Sequence, residues 1–123
     1  MTTDFKKLQF YQLAEDFTIE IYELTKRFPK EEKYALISQL QRASTSVCLN
    51  LAEGCGRDSE KEMVHFFFTS MGSLKEVSSI LSISLRLSYI SRSQFEDLNT
   101  KLETISRMIG GYIKKVRAGF ENA

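Results

Sequence analysis

The sequence predicts an all-α fold, an antiparallel up-down-up-down four-helix bundle. Three observations carry this. Apolar residues recur in steps of three and four through long segments, which is the spacing of one helix face. The segments are parted by short breaks around Pro29, Gly54–Gly56 and Ser88–Ser93. No segment alternates apolar and polar residues as a half-buried strand does. A chain of 123 residues has the size of one domain, and 42% apolar residues suffice for a core.

The first helix is expected at about residues 5–27, with Phe10, Ala14, Phe17, Ile21 and Leu24 inward. It stops before Pro29, because proline cannot continue the hydrogen-bond ladder yet suits the first turn of a new helix. Glu31 and Glu32 favour the positive end of that second helix, placing it at about 30–54. Its stripe of Leu36, Leu40, Ala43 and Val47 continues in the same steps to Asn50 and Gly54. Gly54 and Gly56 then read as C-cap residues. Ser59-x-x-Glu62 has the form of a capping box and opens a third helix at about 59–88, with Met63, Phe67, Leu74, Val77 and Leu81 inward. A second box, Ser93-x-x-Glu96, opens the fourth at about 93–118, with Leu98, Leu102, Ile105, Ile109, Tyr112 and Val116 inward. The first few residues and the final "ENA" are expected to fray. Short connections make neighbouring helices antiparallel.

Charge and composition exclude several classes. Seventeen basic residues face sixteen acidic ones, a net of +1, so the overall basic excess typical of nucleic-acid binders is missing. No signal-peptide core and no apolar run long enough for a membrane span is visible. These features point to a cytoplasmic protein with no membrane partner. Cys48 and Cys55 would lie about 10 Å apart on one helix, too far for a disulfide, and read as free buried thiols. Glu62-x-x-His65 resembles half of a di-metal site, but His65 is the one histidine and a second such pair is required. No phosphate loop is present, and no group stands ready to orient a cysteine–histidine pair. No cofactor, metal or catalytic residue is expected.

Two features point to interactions instead. Val47–Ala52 is nearly apolar all round, and a helix apolar on every side is buried on every side. Cys48, Leu49, Ala52, Phe66 and Phe68 are therefore the expected contacts between copies in a homo-oligomer. Antiparallel packing also gathers Lys6, Lys7, Lys114, Lys115 and Arg117 at one bundle end, a candidate contact for RNA or DNA, since phosphate binding depends on local basic density. Asn50, Glu53, Gly54, Gly56 and Arg57 are expected to form a polar corner. In it Asn50 bonds to the hairpin backbone or the third helix, Glu53 pairs with Arg57 four residues on, and the glycines permit the turn.

The segment Arg27–Arg57 ("RFPKEEKYALISQLQRASTSVCLNLAEGCGR") resembles the central part of the bacterial 23S rRNA intervening-sequence proteins. The likeness rests on Phe28–Glu32 and on Asn50–Gly54. It continues through Ser59, Lys61, Glu62 and Phe66, then Gly72-Ser73-Leu74, Glu76 and Leu85–Ser91, and covers about residues 8–118. It implies a bundle protomer that assembles into a ring-like homopentamer, with no assigned activity. A related bundle is the accessory protein of diversity-generating retroelements, which binds a reverse transcriptase and nucleic acid and is notably basic, as this chain is not. Here Cys48 stands where the family usually has proline, Leu49 where it has alanine, and Cys55 where it has an aromatic residue. The loss of the proline removes or weakens a kink in the second helix.

Overall fold

The computed structural model describes residues 3–122, and side chains up to residue 119. Met1, Thr2 and Ala123 lie outside the described residues. The four helices are α1 (Gln9–Thr25), α2 (Leu36–Cys55), α3 (Glu60–Arg86) and α4 (Arg92–Asn122). Each packs on its neighbours in sequence, and α4 closes back on α1, giving the expected bundle. Single 3₁₀ turns at Phe5–Lys7 and Lys30–Glu32 precede α1 and α2.

The apolar stripes meet in one core. Ile21, Leu40, Leu51, Phe67, Leu81 and Ile109 are fully enclosed. Phe10 sets its ring edge-on to Phe67 at 5.8 Å and to Tyr112 at 5.4 Å, filling the end of the bundle where α2 meets α3. The α2 stripe runs from Val47 to Leu51, and Asn50 lies half-buried beside it. Asn50 is therefore not a core-stripe residue as expected. Hydroxyls link the helices: buried Ser70 of α3 donates to the Val47 carbonyl of α2 at 2.8 Å, and half-buried Thr18 of α1 donates to the Ser44 carbonyl of α2 as well as to the Ala14 carbonyl of its own helix.

Four helix ends differ from expectation by several residues or in their cap. α1 starts at Gln9, not residue 5, because Phe5–Lys7 forms a separate 3₁₀ turn capped by Asp4. α2 starts at Leu36, not residue 30. Residues 30–35 offer no apolar stripe to bury, and Tyr34 is 87% exposed. Glu32 is engaged elsewhere, accepting from the Leu36 amide at 3.4 Å and from the Tyr89 hydroxyl at 2.9 Å. The box that opens α4 is Ser91-x-x-Gln94, not Ser93-x-x-Glu96. The Gln94 amide donates to Ser91 Oγ at 3.1 Å, and the Ser91 amide to Gln94 Oε1 at 2.8 Å. With Ser91 as cap, core residues Ile90 and Phe95 occupy the two positions of a hydrophobic staple; with Ser93 those positions would be Arg92 and Asp97. At its other end α4 runs past residue 118 to Asn122. The α3 box is as expected, with Ser59 Oγ accepting from the Glu62 amide at 3.0 Å.

Candidate functional site

The α2–α3 corner is built differently from the expected polar lock. Asn50 turns back along its own helix and donates to the Ser46 carbonyl and to Ser46 Oγ, both at 2.9 Å. The link to α3 comes from Ser73, whose hydroxyl donates to Ser46 Oγ at 3.0 Å. Ser46 and Ser73 are thus the residues that sequence reasoning missed; their signal is only that both are small hydroxyl residues on facing helices. Glu53 and Arg57 do pair, and the Arg57 guanidinium lies over the Phe66 ring at 4.6 Å. Neither corner glycine has a positive φ, so neither is needed for a left-handed turn. Gly54 acts through contact distance: a Cβ there would sit 3.0 Å from the Met63 carbonyl oxygen and the Phe67 ring. α2 and α3 are the most closely packed pair in the bundle.

The five residues expected between copies do not form one patch. Leu49 is 64% exposed on the outer side of α2, with half-buried Ala52 beside it. Phe66 is half-buried under Arg57. Phe68 is 44% exposed and faces α4, where Arg117 covers its ring at 4.8 Å. Cys48 is buried, with its sulfur 3.5 Å from Thr18 Oγ1, and so is corrected from a surface contact to an internal one. α1 also exposes large apolar side chains. Ile19 is 61% exposed, and Tyr22 reaches across to Thr45 of α2. Ile19 could have been noticed, because it falls on the opposite side of α1 from Phe17 and Ile21.

The five expected nucleic-acid contacts gather at one end. Lys6 and Lys7 lie in the 3₁₀ turn before α1, and Lys114, Lys115 and Arg117 in the last turns of α4. All five are exposed; Arg117 lies against Phe68, and Lys114 lines a hollow with them. Arg57 and Lys61 join them from the α2–α3 corner, where with Glu62, His65 and Phe66 they line a shallow hollow.

Little here resembles a reaction centre. His65 is exposed and touches the Phe66 ring edge-on, while Glu62 serves the α3 cap. Burial pushes the Cys55 thiol up to about 11, with the Asp4 charge adding to the effect. Burial likewise raises Cys48. A thiol held protonated is a poor nucleophile near neutral pH. Among the described residues no three His, Cys, Asp or Glu side chains come together as a metal-binding group, and no helix is long and apolar enough to cross a membrane.

Comparison with known proteins agrees with this architecture. The fold is similar to the crystal structure of a protein with unknown function from the S23 ribosomal protein family of Bacteroides thetaiotaomicron. The TM-score is 0.79 at 24% identity, over 85% of this chain and 98% of that one. None of the curated proteins matches. The family model described as 23S rRNA-intervening sequence protein matches residues 6–111, nearly the whole bundle. The chain therefore belongs to the 23S rRNA-intervening sequence protein family.

Proposed function

We propose that this protein is a non-enzymatic, homo-oligomeric helical scaffold that works by binding another protein. The observation that supports the reading most is Leu49. It is a large aliphatic side chain 64% exposed in α2, one turn along from Thr45, which the exposed Tyr22 of α1 reaches. Apolar patches of this kind mark association surfaces. The family resemblance implies five copies in a ring. Light scattering on a size-exclusion column should return a multiple of the 14.2 kDa chain at micromolar protein. A monomer mass there would reject the oligomer.

A second reading has its own support: weak RNA or DNA binding at the end carrying Lys6, Lys7, Lys114, Lys115 and Arg117. There the Arg57–Phe66 and Arg117–Phe68 stacks set cations over aromatic rings on one helix, the combination that holds single strands. Binding to ribosomal RNA fragments should weaken with salt at a slope of several phosphates. No binding at low salt would remove this reading.

A further inference from the structure

We propose that copies of this chain associate head to tail, the acidic outer ridge of α1 of one copy seating in the groove between α3 and α4 of the next. The inference rests on the self-association reading and adds which two faces meet. A two-fold contact uses one patch twice, whereas a head-to-tail contact uses two unlike patches and closes into a ring when the rotation allows. This molecule exposes unlike apolar residues on different sides. Ile19 is exposed on the outer ridge of α1, beside a hollow shared with Asp97 and Leu98 of α4, and Phe68 is exposed on the α3–α4 side.

Their charges are complementary. α1 carries Glu15, Asp16, Glu20 and Glu23 and no lysine or arginine between Gln9 and Thr25. Glu20 pairs with Lys101 and Glu23 with Lys26, which leaves Glu15 and Asp16, flanking Ile19, without a cation at ion-pair distance among the described residues. The α3–α4 groove is rimmed by Lys75, Arg107, Lys114 and Arg117 against one acid, Glu103. None of these four cations is in an ion pair among the described residues.

The shapes also fit. The groove consists of two adjoining hollows of 440 and 420 Å³ that share Met71 and Gly110. Its floor is apolar, from Leu74 and Leu102 to Ile113. At Gly110 the groove wall has no side chain, and a Cβ there would only reach ordinary contact with Met71 at 3.7 Å, so a notch is open for a residue such as Ile19. Asn99 to Ala118 spans about 28 Å of α4, and α1 is about 25 Å long, at 1.5 Å per residue. A helix laid in a groove with an apolar seam and charged rims is an established mode of recognition.

The test is a charge swap read by light scattering at low salt, with circular dichroism to confirm folding. Glu15→Lys with Asp16→Lys, and separately Arg107→Glu with Lys114→Glu, should each weaken assembly by about a hundredfold or more, as like charges are brought face to face. All four substitutions in one chain should restore it. All these side chains are exposed, so folding is expected to survive. Folded variants that assemble like the wild type, or a fourfold chain that stays dissociated, would overturn the interface while leaving self-association standing. A wild-type monomer would remove the underlying reading itself. A monomer whose groove variant loses binding to poly-uridine RNA would assign the groove to nucleic acid and equally overturn the proposal.

Discussion

Glycine-to-alanine changes at two helical positions should move stability in opposite directions. At Gly54 the new methyl carbon would lie 3.0 Å from the Met63 carbonyl oxygen and 3.0 Å from two carbons of the Phe67 ring, where comfortable contact begins at about 3.5 Å. Neither neighbour has room to retreat. The Met63 carbonyl belongs to the α3 ladder, and Phe67 is wedged between Phe10 and Tyr112 with ring centroids 5.8 and 5.7 Å away. Overpacking of this kind costs about 1–3 kcal/mol. The gain from helix propensity is at most about 1 kcal/mol, and less here, because Gly54 lies in the last turn of α2. The net is a loss of about 1 kcal/mol or more. Gly72 lies mid-helix in α3 with nothing within 4 Å of its Cβ position, so Gly72→Ala should gain up to about 1 kcal/mol. At about 4 °C per kcal/mol for a domain of this size, the two variants should melt about 8 °C apart, wild type between them. Thermal melts by far-ultraviolet circular dichroism suffice, run at one protein concentration because association would couple to folding. Equal stabilisation by both alanines would refute the claim that close approach at Gly54 sets the α2–α3 distance.

Three further outcomes are expected. Ser88 holds a left-handed conformation, φ 63°, with its amide bonded to the Leu85 carbonyl and the Tyr89 amide to the Ser84 carbonyl. This is the helix-end motif that normally takes glycine, so Ser88→Gly should raise the urea midpoint by the equivalent of about 1 kcal/mol at unchanged slope. Ser73→Ala should cost about 1 kcal/mol, and its effect combined with Asn50→Leu should depart from additivity by about 0.5 kcal/mol or more, because both bond to Ser46 Oγ; strict additivity would show that the chain of bonds does not act as a unit. Cys55 is raised to about 11 in the fold, above its ordinary value of 9.0, so its contribution is complete below pH 9 and declines as pH rises toward 11. Guanidinium midpoints should therefore fall between about pH 8.5 and about pH 10.5, and less steeply in Cys55→Ala; parallel curves would contradict the assignment.

What could be read in advance depended on how local each cause is. The α1 and α4 stripes were legible because steps of three and four suffice to bury one helix face. The start of α2 was not, because Glu32 is claimed by Tyr89, 57 residues away in sequence, and no local rule contains that contact. The Ser91 cap was ambiguous, since Ser91-x-x-Gln94 and Ser93-x-x-Glu96 are equally good boxes. The choice falls to where Ile90 can reach the core. At the candidate faces, the sequence indicated that Leu49 and Phe68 both lie outside the core, but not that they lie on different sides of the bundle. That depends on how far each helix is rotated about its own axis, which a surplus of apolar residues in a segment does not define.

The contact at Gly54 also bears on the order in which the bundle forms and opens. α2 and α3 are joined by a four-residue connection, Gly56–Ser59, and meet almost backbone to backbone, so their hairpin costs little chain entropy to close. The α1–α4 seam joins segments far apart in the chain, has the loosest packing of the four neighbouring pairs, and carries an exposed pair, Lys101 with Glu20. Amide protons of α1 should then exchange before those at the centre of α2 and α3. The helix bearing the acidic ridge borders the seam that parts first, so a neighbouring copy that grips that ridge would also brace the bundle where it is loosest.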